Sequence, residues 1–233
     1  MKSKISIQSS LILFVTFMTI SCSKNNDSYR SEFHGKVKSC NEKYFAAENK
    51  FGEWTCGDSN SFYLEHYSFT DEGIYNGTEY YDQEGKLNLK SIPKYTEGKL
   101  VNECMYNQDG KLIEKTIINQ ISTDVDETIT FDENGRKKNK SKSHYKKDQL
   151  IAREYDMFEN GKPAGKRICK IVNDSKGNIQ TFEIVDEKGK EESYARNEYL
   201  EFDKMKNWIK KITFNSKDSK KPDYFIIREF EYY

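Results

Sequence analysis

The heptapeptide Tyr81-Asp82-Gln83-Glu84-Gly85-Lys86-Leu87 narrows what this chain can fold into, because it recurs. It returns as Tyr106-Asn107-Gln108-Asp109-Gly110-Lys111-Leu112, and more loosely as Phe69-Thr70-Asp71-Glu72-Gly73-Ile74 and Tyr95-Thr96-Glu97-Gly98-Lys99-Leu100. Further copies are Phe131-Asp132-Glu133-Asn134-Gly135-Arg136 and Val185-Asp186-Glu187-Lys188-Gly189-Lys190. In each copy an apolar residue closes a strand and Asp, Asn or Thr opens a turn. Gly then supplies the positive φ that the turn requires. Every copy is therefore read as a β-turn flanked by strands, and none of its residues as a catalyst.

The turn glycines fall at Gly73, Gly85, Gly98, Gly110, Gly135, Gly161, Gly177 and Gly189. In the first half neighbours lie 12 or 13 residues apart, room for one turn and one strand. Asn119 to Asp124 and Lys146-Lys147-Asp148-Gln149 fill the two turn positions that lack Gly. An antiparallel meander is the simplest object with that rhythm. Tyr63, Glu65, Tyr67 and Phe69 alternate onto one face; Tyr224, Ile226, Arg228, Phe230 and Tyr232 share another, as do Trp208, Lys210, Ile212 and Phe214. Polar residues intrude on both faces of most strands. The expectation is an all-β chain of hairpin repeats forming one long twisted sheet, curled on itself, since a sealed barrel would call for cleaner alternation. Residues 42–51 fit either a short helix ending at Gly52 or a long bulged strand.

The first residues read as a signal. Lys2 and Lys4 precede an apolar run from Leu11 to Ile20, about half the length that crosses a bilayer. The run ends at Thr19-Ile20-Ser21-Cys22, which resembles the lipobox of bacterial lipoproteins. That resemblance implies a signal peptide over 1–21, helical in its apolar part, and a lipid anchor on Cys22. Each buried CH₂ contributes about 0.8 kcal/mol, so three acyl chains hold firmly. Residues 22–33 form a polar tether without periodicity, and 34–233 one repeat domain. An exported outer-membrane lipoprotein, facing the periplasm or the cell surface, is expected.

The order of segments resembles secreted Bacteroidetes proteins that carry YD (RHS-like) repeats. The resemblance runs through Gly35-Lys36-Val37-Lys38-Ser39, Lys50-Phe51-Gly52-Glu53, the turn repeats, and the tail from Phe202 to Tyr233. It covers residues 35–233 and implies a small β-sheet lipoprotein rather than a toxin shell, because the repeats are too few to wall a cage.

Little points to chemistry. His34, His66 and His144 are isolated, and no metal or cofactor is expected. Asp124-Val125-Asp126 and Asp132-Glu133-Asn134-Gly135 lack the spacing of a calcium loop. No nucleophile elbow or phosphate loop is present, and no enzyme is expected. The formal net charge of zero offers nucleic acid no general attraction. One basic run stands out, from Arg136 through Lys137, Lys138, Lys140 and Lys142 to Lys147. Either it meets an external anion or it guards an exposed sheet edge, and the guard is preferred. Cys40 and Cys56 flank one unit and are expected to pair by disulfide, whereas Cys104 and Cys169 are expected to be buried thiols.

The resulting expectation is a membrane-anchored, non-enzymatic binding module for a glycan or protein partner, its exposed aromatics stacking on sugar rings. The alternative is an immunity protein that neutralises a toxin. Tyr75-Asn76-Gly77-Thr78 and the Tyr-x-x-Gly-Lys-Leu unit resemble antitoxins of the MORN-like type.

Overall fold

The computed structural model describes residues 33–57, 63–147 and 149–233; the expected signal helix, Cys22 and all but the last residue of the tether lie outside them. The chain forms β1 (Val37–Lys50), β2 (Glu53–Cys56), β3 (Tyr63–Phe69), β4 (Tyr75–Tyr81) and β5 (Leu87–Thr96). It continues through β6 (Lys99–Asn107), β7 (Leu112–Ser122), β8 (Val125–Asp132), β9 (Lys137–Lys146) and β10 (Gln149–Glu159). Last come β11 (Lys162–Asn173), β12 (Ile179–Asp186), β13 (Glu191–Phe202), β14 (Trp208–Phe214) and β15 (Tyr224–Tyr232). Among the described residues there is no helix. The 42–51 segment is strand: nearly all of it lies in β1.

Every neighbouring pair from β3 to β15 is antiparallel, and β1 pairs with β3 on one side and β15 on the other. The sheet is thus a closed up-and-down barrel of fourteen strands, β1 and β3 to β15, rather than an open curl. Closure is tolerated despite impure alternation because the interior is itself partly polar. Thr116 faces Thr130 across the inner wall with hydroxyls 3.1 Å apart, and Thr128 faces Ser141 at 2.7 Å. Buried hydroxyls that satisfy one another remove the penalty that would otherwise demand apolar residues there.

The repeat turns are one structure used six times. Asp82, Asn107, Asp132, Asp174, Asp186 and Asp203 each accept two backbone N–H groups, from the residues two and four places on, at 2.8–3.1 Å. The side-chain oxygen of each therefore serves the turn backbone. All eight predicted glycines have positive φ, between 74° and 89°. Lys206 occupies the same place in the sixth turn with φ 72°. The 95–100 copy differs: Glu97 and Gly98 both have positive φ, the signature of a two-residue primed hairpin.

The end of β1 pairs with β2 and folds over the outside of the barrel. There Phe45, Ala47, Trp54 and Cys56 pack on Ile212, Phe214 and Phe225. Cys40 lies on the inner face, opposite Tyr67 and Phe230, while Cys56 sits opposite Ala47 in this outer cluster. Seven residues along β1 separate the two positions, roughly 23 Å at strand rise, far beyond disulfide reach. Neither thiol is in a disulfide, so the expected bridge is not formed. Cys169 is a buried thiol as expected, and Cys104 is half-buried.

The outer wall carries cross-strand ion pairs around the barrel. They include Lys90–Glu79 at 2.8 Å, Lys140–Glu127 at 2.7 Å, Lys210–Glu201 at 3.2 Å and Lys43–Glu229 at 2.8 Å. A lipid-facing barrel wall presents an apolar band, and a single Lys at its mid-depth costs about 2–4 kcal/mol. Cross-strand charge pairs interrupt any such band here.

Candidate functional site

Strand parity assigns the turns to two ends. The lower end collects the β3–β4, β5–β6, β7–β8, β9–β10, β11–β12 and β13–β14 turns together with both termini. Here Asn207 fastens the entering chain. It accepts the His34 N–H at 2.6 Å and donates to the His34 carbonyl at 2.8 Å and the Tyr232 hydroxyl at 2.7 Å. Phe33 enters beside it, buried, with its ring edge-on to Tyr67, Phe69 and Phe230.

Inside this end lies a cavity of about 300 Å³. Its exposed lining residues, His34, Lys147, Gln149 and Lys176, all belong to lower-end turns or the entering chain, so it opens there. Its walls differ. Leu150, Ile171, Ile179 and Phe182, from β10 to β12, form an apolar side. The opposite side carries Trp208 from β14, with the Arg228 guanidinium 3.7 Å from its ring centre and the Lys211 ammonium 4.4 Å from it. A cation over an indole face is held by the ring's quadrupole. Trp208 leaves the face it was expected to share with Ile212 and Phe214, because register shifts in the β13–β14 pairing turn it inward.

Behind Trp208 is a buried charge cluster. Arg228 donates through Nε to Glu42 at 2.5 Å, and both side chains are almost wholly buried. Burial pushes the Glu42 carboxyl up, but Arg228 and then Lys211 overcome it and hold the group below its ordinary value. Its neighbour Glu65 behaves oppositely. Burial, and then the charge on Glu42, push it up to about 8, so it is protonated at neutral pH. On β10, Arg153 is buried and donates to the Ser143 hydroxyl at 2.8 Å. Glu65, Tyr67 and Arg228 were visible in the sequence only as alternating strand positions. Lys211 gave no signal, because one lysine among many becomes notable only where the register buries it.

The basic run does not take the expected role of edge guard. β9 lies between β8 and β10, so it guards no free edge. Arg136 pairs with Asp132 at 2.9 Å, Lys138 with Glu114, and Lys140 with Glu127, while Lys137 lies 4.9 Å from the Phe158 ring centre. Several aromatics of the repeat strands, Tyr67, Tyr75, Tyr80, Tyr145 and Tyr155 among them, are buried rather than displayed outside.

No protein-family model matches the chain, and no curated protein matches it. Among solved structures it is similar to a porin-like protein from Bacteroides uniformis, at 8% identity and a TM-score of 0.38, covering 85% of this chain and 98% of that one. The Photorhabdus luminescens Tc holotoxin pore matches 82% of this chain with 12% of its own, at 9% identity and a TM-score of 0.25. A TcdB2–TccC3–Cdc42 complex matches 82% with 13%, at 8% identity and 0.26. All three scores lie below 0.5, too low to transfer anything from those proteins to this chain.

Proposed function

We propose that the chain is an exported, non-enzymatic lipoprotein whose barrel stands in water at the cell envelope and holds a small ligand in its lower cavity. The observation that carries this is the pairing of a charged outer wall with an interior cavity open at one end. A volume of about 300 Å³ falls at the small end of ligand pockets, about 300–1,000 Å³. The lipobox-like Thr19-Ile20-Ser21-Cys22 supports the anchor, and the ordered turn repeats support a YD-like relationship. Between Cys22 and Phe33 eleven residues span at most about 40 Å when extended. A lipid on Cys22 would therefore keep the end that holds the mouth near the bilayer.

Two experiments test the reading. Cys22→Ala should abolish palmitate labelling and release the protein from the membrane fraction; retention of both would refute the anchor. Native mass spectrometry of the barrel released gently from the envelope should show an adduct of small-molecule mass. Ala195→Trp, which fills the cavity from β13, should remove that adduct; an adduct unchanged by it would place the ligand elsewhere.

A further inference from the structure

Five lysine and arginine side chains line the cavity, Lys147, Arg153, Lys176, Lys211 and Arg228, against one acidic side chain, Glu42. Three of the five, Arg153, Lys211 and Arg228, are less than a tenth exposed. Lys211 and Arg228 share the one carboxylate of Glu42, so the lining carries net positive charge and favours a ligand that brings negative charge. The apolar wall of Leu150, Ile171, Ile179 and Phe182 specifies the rest of the ligand. It offers hydrocarbon contact and no hydrogen bonds.

The polar groups of the lining argue against a saccharide. Asn197 and Tyr199 both donate to the Ile179 carbonyl, at 2.9 and 3.0 Å, and the Asn197 carbonyl accepts from Thr213 at 2.8 Å. A sugar would have to find partners for many hydroxyls where these are already engaged, and each one left unsatisfied costs about 1–3 kcal/mol.

We propose that the cavity binds an amphipathic carboxylate, its head among Lys211, Arg228 and Trp208 and its aliphatic body against the β10–β12 wall. This rests on the reading of the cavity as a ligand site. It also fits the direction of the mouth, which opens at the end where the chain enters and so toward any membrane that anchors it.

The molecule carries its own reporter. Only Trp54 and Trp208 are present, and Trp54 lies in the outer cluster, so Trp54→Phe leaves Trp208 as the sole indole. Decanoate, 1-decanol and decyltrimethylammonium, each below its micellar concentration, would be titrated against the Trp208 fluorescence of that variant. Decanoate should change the emission saturably, decanol should bind at least tenfold more weakly, and the cation should not bind. Lys211→Met should weaken decanoate about tenfold and leave decanol unchanged. Its melting curve checks the fold, and the comparison of the three probes on Trp54→Phe alone does not depend on it. Equal binding of decanol and decanoate would overturn the anion inference while leaving the cavity a ligand site. Silence of Trp208 toward all three would overturn both.

Discussion

The two sides of the barrel interior solve the same problem differently. From β5 to β9 the inner face is small and polar, and its groups satisfy one another. Thr116 meets Thr130, Thr128 meets Ser141, and Ser91 donates to Glu103, which also accepts from Tyr75 at 3.2 Å. From β10 round to β1 the inner face is large and charged, with Trp208, Tyr155, Arg153, Lys211 and Arg228 around a cavity. The first side is closed chemistry: these polar groups satisfy one another across one or two strands. The second gathers more cations than carboxylates and leaves room between them. A barrel of hairpin repeats can thus be structural on one side and receptive on the other without any change in topology.

The comparison breaks most visibly at the Glu42–Arg228 pair. Removing one member of a buried ion pair costs about 3–5 kcal/mol, so Glu42→Gln should lower the denaturant midpoint more than any change on the hydroxyl side. A smaller cost than that of Thr128→Val would reverse the assignment of the two sides.

The charged side should also carry a pH signature. Glu65 titrates at an ordinary value of 4.5 when unfolded and at about 8 when folded. Between those values the folded state binds the extra proton, so stability falls as pH rises through that window, by up to about 1.4 kcal/mol per pH unit. Glu42 has the opposite sign, and its contribution is lost only as pH falls below the ordinary carboxylate range. Glu65→Gln should therefore raise the melting temperature most at pH 8 and flatten its fall from pH 5. An unchanged slope would show that Glu65 is ionised in the fold.

On the hydroxyl side, Thr128→Val leaves Ser141 without its cross-strand partner and should cost about 1–3 kcal/mol. Adding Ser141→Ala should restore part of that loss. An additive double variant would mean that the two hydroxyls are not coupled.

The smallest effects belong to the turns that serve both sides equally. A Cβ on Gly135 would meet open space, so Gly135→Ala isolates the conformational cost of φ 74°, about 1 kcal/mol. Lys206→Gly should gain at most about as much. If both changes are silent in thermal melts, positive φ is not what these positions contribute.

The turns were the most legible part of the sequence because their chemistry is local: an Asp or Asn and a Gly at fixed spacing specify the bend wherever it sits. Gly98 shows the limit, since a similar string made a two-residue hairpin in place of the Asp-type turn. Closure was not legible, because it depends on β1 meeting β15 across nearly two hundred residues. Thr and Ser at inner positions such as Thr128 and Ser141 also masked the alternation that announces a barrel. The cavity was hidden for a related reason. Lys211 and Arg153 resemble any surface cation until the register turns them inward, and Trp208 joined them only through a shift in pairing. The same blindness misread β9, whose lysines look like an edge defence until β8 and β10 are seen on either side.

Closure is the claim on which the inside, the outside and the cavity all depend, and amide hydrogen exchange on the folded chain tests it most directly. In a closed barrel the β1 and β15 amides from Ser39 to Tyr44 and from Ile226 to Phe230 should be protected as strongly as those of β8 and β9. In an open curled sheet one row along each of these strands would have no partner. Fast exchange at alternate amides of both β1 and β15, with β8 and β9 still protected, would contradict the barrel.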